Sequence, residues 1–239
     1  MSNIYSEKFR LRISDYDKYD HLTPKTILDL FQDVAGKHAD YIGVGYDEMI
    51  KKDLIWVLVR TKYEVINYPK LYSTVTVLTW PKKKGRLDFD REYEILDENG
   101  NLLIKGISKW VVVNFKTRRI SSARDVNYSC DIFEKENFTE DFSKIEDFEM
   151  NNVQKYTTYT SFSDLDHNGH VNNINYARYM FDALKLKKEE SIKKFEIDYL
   201  KELQLDSKVD LFYVKDNSTI LCKGIKDEEL SFISKIILF

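Results

Sequence analysis

The stretch Asp164-Leu165-Asp166-His167-Asn168-Gly169-His170-Val171 has a counterpart 149 residues earlier, in Asp15-Tyr16-Asp17-Lys18-Tyr19-Asp20-His21-Leu22. Each copy runs directly into a segment whose apolar residues recur at helical spacing. The same offset pairs apolar positions of the two helices: Ile27 with Tyr176, Leu28 with Ala177, and Phe31 with Met180. Because polar loop positions and apolar helix positions coincide in one register, the sequence predicts an internal duplication.

A helix followed by several strands is predicted in each half. In the first half, Thr23 can cap a helix, Pro24 can occupy its first position, and the pattern fades near Gly43. In the second half, the helix is predicted to start at Asn172-Asn173. An Asn99-Gly100 pair predicts a tight hairpin. The predicted strands cover residues 55–66, 72–80, 88–96 and 102–115, then 195–203, 208–214, 219–224 and 231–238. One helix with several antiparallel strands, present twice, predicts an α+β architecture.

Composition narrows the class of protein. Of the 239 residues, 43% are hydrophobic and 32% are charged, which is typical of a water-soluble globular chain. A net charge of −3 disfavours a nucleic-acid-binding surface. No stretch approaches the roughly 20 apolar residues that a membrane span needs. The first eight residues lack the apolar run of a signal peptide, so a cytoplasmic location is expected.

The polar, aperiodic region near residues 131–152 predicts a connection between two structural units. We therefore expect an N-terminal unit over residues 1–130 and a C-terminal unit over residues 153–239. The cysteines, Cys130 and Cys222, form no CxxC pair, which disfavours a disulfide framework and a structural zinc site. With four histidines and no ligand cluster, neither a metal nor a cofactor is expected.

The second loop carries a set of polar side chains, Asp166, Asn168 and His170, that the first loop keeps only in part. Asp and Asn also favour turns and helix caps, so a purely structural loop is an alternative interpretation. In the first half, Tyr19 stands where Asn168 does and Asp20 where Gly169 does. This asymmetry favours a duplicated protein with one active site, in which His21 serves packing or hydrogen bonding and His167 is an exposed loop residue.

The segment Asp164-Leu165-Asp166-x-Asn168-x-His170-Val171-Asn172-Asn173-x-x-Tyr176 resembles the signature of the plant and bacterial acyl-acyl-carrier-protein thioesterases. Weaker similarities, at Trp56-Val57-Leu58 and Thr79-Trp80-Pro81, extend the resemblance over nearly the whole chain. The resemblance implies a double hotdog fold, in which a curved antiparallel sheet wraps a long helix in each half. It also implies hydrolysis of a fatty acyl thioester on an acyl carrier protein, within fatty acid biosynthesis.

Carried over by the resemblance, the catalytic positions fall on Asp166, Asn168, His170 and Glu202. Leu203 stands where plant members have a cysteine, which excludes a cysteine nucleophile there. Either Glu202 or His170 can serve as the base for water, Asn168 can donate to the substrate carbonyl, and the helix start offers backbone N–H groups. A covalent route through a carboxylate stays open. Apolar alternation around Glu202 also fits a solvated glutamate on an outer strand face.

Two further surfaces are predicted from the resemblance. The acyl slot is expected mainly in the first half, with Phe31, Val34, Trp56 and Leu58 as its lining, although each would equally serve an ordinary core. The densest basic run, with Lys82, Lys83, Lys84 and Arg86, is the expected docking site for an acidic acyl carrier protein. A solvated turn is the alternative for that run, and a homodimer is left open.

Three rival functions remain at the level of sequence. They are an acyl-CoA thioesterase of the same fold, an enoyl-thioester hydratase, and a non-catalytic acyl-binding module. The hydratase loop pattern, Asp-x-Asn-x-x-His, places histidine one residue later than here and usually has proline after asparagine. Gly169 follows Asn168 in this chain.

Overall fold

The structure is a computed structural model that describes residues 3–126, 133–151 and 153–239. Its helices are α1 (Pro24–Tyr41), α2 (Tyr46–Ile50) and α3 (Asn173–Leu184). Its strands are β1 (Tyr5–Arg10), β2 (Leu54–Val65), β3 (Thr74–Pro81), β4 (Asp88–Leu96), β5 (Leu102–Asn114), β6 (Arg119–Ile120), β7 (Gln154–Tyr159), β8 (Ile192–Tyr199), β9 (Lys208–Asp216), β10 (Thr219–Lys226) and β11 (Glu229–Leu238). In the described part of the chain, no helix is both long and apolar enough to cross a bilayer.

One antiparallel sheet joins both halves. Its strand order is β1-β3-β4-β5-β2-β8-β11-β10-β9-β7, with β6 paired to the side of β5. The order is symmetric about the β2–β8 contact, where residues from Arg60 to Glu64 pair with residues from Asp198 to Lys194. Each half therefore contributes five strands to one side of the sheet and a helix, and α1 packs against α3.

Helix α1 illustrates why the sequence forms these elements. Thr23 accepts a hydrogen bond from the Thr26 N–H, and Pro24 opens the helix. Phe31 is buried in the core and lies against Gly106 of β5, where a Cβ would come within 2.3 Å of the ring. Glycine at this position therefore lets the strand approach the helix. Burying such side chains contributes about 1.5–3 kcal/mol each.

The duplication predicted from the sequence is present in the backbone. Short 3-10 turns at Ile13–Asp15 and Phe162–Asp164 are followed by isolated bridges, Tyr16 to Leu22 and Leu165 to Val171. Asp20 and Gly169 both adopt positive φ, at 65° and 78°. All these pairs are separated by 149 positions, which confirms the repeat.

The predicted elements are largely confirmed, but four short elements were missed, among them the two-residue strand β6, and one strand was predicted to end too late. Strands β1 and β7 were not predicted because they are short, largely polar segments at the two edges of the sheet. Helix α2 has only five residues and was also missed. Strand β8 was predicted to reach Leu203 but ends at Tyr199. The Leu200 and Lys201 N–H groups both donate to the Ser231 carbonyl at 2.9 Å, which interrupts the ladder.

The connecting segment (residues 133–151) has no helix or strand and crosses the sheet from β3 to β10. Sheet side chains hold it through its backbone carbonyls. Trp80 donates to Lys135 O at 3.0 Å, Arg60 to Ser143 O at 3.0 Å, and Lys223 to Phe148 O at 2.8 Å. The connection predicted from the sequence is therefore bound along the sheet. The division of the chain into units 1–130 and 153–239 stays a prediction.

Beneath the connecting segment lies Glu92, a fully buried acid on β4. Its Oε2 accepts the Asn137 N–H at 3.3 Å, while its Oε1 accepts no hydrogen bond from the described residues and lies 3.8 Å from Lys82 Nζ. Burial raises the pKa of Glu92 to about 7, against the lowering effects of Lys82 and Asn137. Because the folded-state pKa lies above the unfolded value of 4.5, folding favours the neutral acid. Its contribution to stability is present below about pH 4.5 and is lost as the pH rises through about 7.

We expect Glu92→Gln to raise the free energy of unfolding by about 1–3 kcal/mol at pH 8 and to change it little at pH 5. Urea unfolding at both pH values measures this. Glu94→Gln is the matched control, since buried Glu94 accepts from Lys135 at 2.8 Å and its replacement should destabilise at pH 8. Equal effects of Glu92→Gln at the two pH values would contradict the burial of a titrating acid.

Candidate functional site

The second-half loop (residues 164–171) is shaped by Asp166. Its Oδ1 accepts the Asn168 N–H at 2.8 Å and the His170 N–H at 3.4 Å, and its carbonyl accepts the Gly169 N–H at 3.0 Å. Gly169 takes positive φ at 78°, a conformation that glycine adopts without strain. The turn leaves the Asn168 side chain exposed and His170 partly exposed. Asp166 therefore fixes the positions of both residues.

Asp164 anchors the start of the same loop from within the protein. It is buried and accepts hydrogen bonds from the Ser161 N–H at 2.8 Å and the Tyr179 hydroxyl at 2.7 Å, and it pairs with Arg178. Burial alone would raise its pKa, but the bonds from Ser161 and Tyr179 and the Arg178 charge hold the pKa below its usual value. This acid is ionised and fully engaged, which is the pattern of a structural residue.

His170 and Glu202 face each other across two loops. Their Nε2 and Oε2 atoms lie 3.4 Å apart, and their side chains are 30% and 48% exposed. This separation is longer than a typical hydrogen bond, as is common for catalytic groups without substrate. Glu202 was predicted on a strand, and that prediction is wrong. It lies in the Glu202 loop (residues 200–207) between β8 and β9.

A cavity of about 280 Å³ opens beside the second-half loop, and neither His170 nor Glu202 is among its lining residues. Asp166, His167 and Asn168 form part of one wall, and the remaining walls come mainly from the first half. The large apolar residues that line it are Ile42, Val44, Met49, Ile55, Trp56, Phe89 and Trp110. The cavity therefore places an apolar chamber of one half against the polar loop of the other.

Aromatic contacts hold the chamber walls in place. The Trp56 indole N–H donates to Val44 O at 2.8 Å, and its ring meets Phe89 edge to face at 4.8 Å. Tyr46 of α2 contacts His167 at 4.5 Å between ring centroids, so the two halves touch at the cavity. His167 is exposed, as predicted, and also makes this contact.

The four predicted lining residues divide into three groups. Trp56 lines the main cavity, while Phe31 and Leu58 line an adjoining cavity of about 20 Å³. Val34 is fully buried in the core and lines neither cavity, so the structure does not bring it to the site. Gln32, Trp110 and Asn173 line both spaces.

Comparison with protein-family models identifies both parts of the chain. Residues 2–129 match the acyl-ACP thioesterase N-terminal domain, and residues 145–232 match the acyl-ACP thioesterase C-terminal domain. The chain belongs to the acyl-ACP thioesterase family. The resemblance noted from the signature residues is thereby confirmed.

Similar proteins come from plants and bacteria. The chain is 29% identical to the chloroplastic oleoyl-acyl carrier protein thioesterase of Coriandrum sativum, over 86% of this chain and 61% of that protein. It is 30% identical to the chloroplastic palmitoyl-acyl carrier protein thioesterase of Gossypium hirsutum, over 90% of this chain and 56% of that protein. The chain thus spans little more than half the length of these relatives.

Solved structures confirm the predicted double hotdog. An acyl-ACP thioesterase from Bacteroides thetaiotaomicron superposes with a TM-score of 0.88 at 27% identity, covering 99% of this chain and 98% of that chain. The 12:0-ACP thioesterase from Umbellularia californica shares the fold with a TM-score of 0.84 at 22% identity, covering 100% and 98%.

The first half of this family member repeats the scaffold of the site with different side chains. The Tyr68 loop (residues 66–73) has the same length as the Glu202 loop (residues 200–207). The last residue of each loop accepts a backbone hydrogen bond at 3.0 Å from the segment before the 3-10 turn: Ser73 O from the Leu11 N–H, and Ser207 O from the Thr160 N–H. Tyr68 consequently takes the place of Glu202, and its ring packs on His21 at 5.0 Å. Analysis of the sequence missed this replacement. The sequence signal for it is that the same number of residues separates β2 from β3 and β8 from β9.

The start of α3 was predicted to offer unpaired backbone N–H groups, and most of them are already used. Asn172 Oδ1 accepts the Ile174 N–H at 3.2 Å, and Asn172 O accepts the Asn175 N–H at 2.9 Å. Within the residues that the structure describes, the Asn173 N–H alone of the first three has no intramolecular acceptor. One backbone donor, next to the cavity, is left for a ligand.

The predicted basic run is only partly a free surface. Lys82 is 21% exposed and pairs with Glu136 of the connecting segment at 2.8 Å. Lys83, Lys84 and Arg86 are exposed, and Lys84 Nζ also donates to Val126 O at 3.1 Å. The neighbouring segment adds three exposed arginines that sequence reasoning missed, because β6 and the Ala123–Arg86 backbone bond bring them alongside: Arg118, Arg119 and Arg124.

No nucleophilic cysteine or metal cluster lies at this site among the described residues. Cys222 is buried, and burial raises the pKa of its thiol, while Leu203 at the plant cysteine position is fully buried. Cys130 lies outside the described residues. Over those same ranges, no three His, Cys, Asp or Glu side chains are placed to hold a metal ion.

We expect His170→Ala to lower kcat for thioester hydrolysis by about 10²-fold or more, and His21→Ala to change it less than about threefold. The reason is that His170 faces Glu202, whereas His21 faces Tyr68. Thiol release by the two purified variants measures this, with circular dichroism melting as the control for folding. Equal, severe losses in two folded variants would mean that both halves carry working sites.

Proposed function

We propose that the protein hydrolyses fatty acyl-acyl-carrier-protein thioesters to free fatty acid and holo carrier protein. The observation that carries the proposal is an apolar cavity, built mainly by the other half, that has Asn168 in its wall. His170, two residues further along the same loop, faces Glu202. Such a cavity suits an acyl chain, and the polar loop suits its thioester end. The family membership and the relatives' names support the same substrate class.

The reaction needs a base for water and a donor for the oxyanion. Attack of water on the thioester carbonyl forms a C–O bond and places negative charge on the carbonyl oxygen. We assign the Asn168 amide, with the Asn173 N–H, to that oxygen. His170 or Glu202 takes the proton from water, and the pair retains it for the departing thiolate as the C–S bond breaks. Direct attack by the Glu202 carboxylate, followed by hydrolysis of the anhydride, is the alternative route.

Asn168→Ala should lower kcat on an acyl-carrier-protein substrate by about 10²–10³-fold, because one aligned oxyanion donor typically has that effect. Release of free thiol from a panel of acyl-carrier-protein and acyl-CoA substrates measures it. Tyr19→Ala, at the equivalent position of the first-half loop, is the matched control and should keep normal turnover.

The same panel distinguishes the rival functions. Faster release from acyl-CoA would make the protein an acyl-CoA thioesterase, and hydration of an enoyl thioester would make it a hydratase. Stoichiometric binding without thiol release would identify an acyl-binding module. Each of these results would refute the proposal.

For the carrier protein we propose a docking surface made of the basic run and the adjacent arginines: Lys83, Lys84, Arg86, Arg118, Arg119 and Arg124. These six cations are exposed, and the Ala123–Arg86 backbone bond joins the two stretches that carry them, although the chain as a whole has a charge of −3. Complementary charge accelerates encounter with an acidic partner. Lys82 is left out because Glu136 already neutralises it. The cytoplasmic location remains a prediction from the sequence.

Lys83→Glu combined with Arg86→Glu should lower kcat/KM for acyl-carrier-protein substrates about tenfold at low salt and much less at high salt. Short acyl-pantetheine substrates, which lack the acidic protein, should be hydrolysed normally. Lys187→Glu with Lys188→Glu, an equal change of charge on exposed residues after α3, is the control. Equal losses on both substrate types would show damage to the active site instead of lost docking.

A further inference from the structure

Tyr176 of α3 reaches with its hydroxyl into the backbone of the Glu202 loop. The hydroxyl oxygen accepts the Leu203 N–H at 2.9 Å, and the Lys201 carbonyl lies 3.5 Å away as the acceptor for its proton. These two contacts fall on the residues immediately before and after Glu202. The hydroxyl thus brackets the one acidic side chain that faces His170.

The ring of Tyr176 is fixed independently of this hydroxyl. It is 2% exposed and meets Tyr199 and Phe232 edge on, at 5.3 Å and 5.2 Å between ring centroids. Packing of the ring therefore sets where the hydroxyl lies, and removal of the oxygen alone should leave the core intact.

We propose that Tyr176 is a positioning residue for catalysis, which holds Glu202 opposite His170 through the backbone of Lys201 and Leu203. The inference rests on the proposed function of the His170–Glu202 pair. Glu202 is 48% exposed, so burial of its own side chain does not fix it. Its position depends on the anchored residues that flank it.

Leu203 links both members of the pair to this anchor. Its N–H donates to Tyr176, and its carbonyl accepts the Val171 N–H at 3.0 Å, next to His170. With its carbonyl held by Val171, a Leu203 that loses its bond to Tyr176 would displace Glu202 relative to His170. Misplacement of a reacting group by about 1 Å can lower a rate by about 10²-fold.

The first half lacks both parts of this device. At the position equivalent to Tyr176 it has Ile27, which has no hydroxyl, and at the position of Glu202 it has Tyr68. Its loop is instead held by Tyr16, whose hydroxyl donates to Lys70 O at 2.6 Å. The half without the acid thus also lacks the hydroxyl that would position it.

The test is a double-mutant cycle with Tyr176→Phe and Glu202→Gln. Alone, Tyr176→Phe should lower kcat about tenfold to a hundredfold with little change in KM. In the Glu202→Gln background it should change kcat less than about twofold, because the group that it positions is gone. Tyr16→Phe is the matched control, which removes a loop-holding hydroxyl from the other half and should keep normal turnover.

A crystal structure of Tyr176→Phe gives a readout that does not depend on turnover. The His170–Glu202 separation should exceed 3.4 Å, or the Glu202 loop should lose order. Equal losses from Tyr176→Phe in both backgrounds, or an unchanged loop with normal kcat, would overturn the inference while wild-type hydrolysis still supports the proposed function. No thiol release by the wild-type protein would refute the proposed function itself.

Discussion

Five residues of β2 pair with five residues of β8, and this ladder makes one sheet from two repeats. The side chains reinforce it, since Tyr63 stacks on Phe195 at 5.2 Å and Arg60 forms a two-pronged pair with Asp198. The pair is partly buried, with the Arg60 side chain 20% exposed. Removing one partner would leave the other charge without its partner in this partly buried place, which destabilises a fold. The β2–β8 ladder sets how the two halves face each other. The relative position of the apolar cavity lining of one half and the polar loop of the other therefore depends on this ladder.

Duplication followed by specialisation explains the distribution of residues. Both halves keep the turn, the helix cap and the loop after the first long strand, since these elements are needed to fold. The polar groups differ between the copies, as the proposed single site in the second half requires. Tyr19 and Tyr68 stand in the first half where Asn168 and Glu202 stand in the second, and both tyrosine rings contact His21. Meanwhile the first half supplies most of the apolar chamber.

Features encoded by local spacing could be predicted from the sequence. The repeat, both long helices, the hairpin at Gly100 and the second-half loop all follow from residues close together in the chain. Glu202 was placed on a strand because Ile197, Tyr199 and Leu203 alternate as in a strand. The paired bonds to Ser231 O that end the strand are not visible in that pattern. The pairing of Lys82 with Glu136 and the replacement at Tyr68 also depend on partners far along the chain, so local patterns do not reveal them.

The connecting segment has a consequence for how this sequence can vary over evolutionary time. Side chains of the sheet, such as Trp80, Arg60 and Lys223, donate hydrogen bonds to main-chain carbonyls of the segment. Every residue type provides such a carbonyl. Selection to keep its path therefore acts on the sheet more than on the segment. The exceptions are the segment residues whose own side chains contact the sheet. Lysines of the sheet lie over the rings of Phe138 and Phe142 at 4.8–5.8 Å. Lys135, Glu136 and Asp147 form ion pairs with Glu94, Lys82 and Lys223. At most of the remaining positions, the residue type can change while the backbone keeps its path along the sheet.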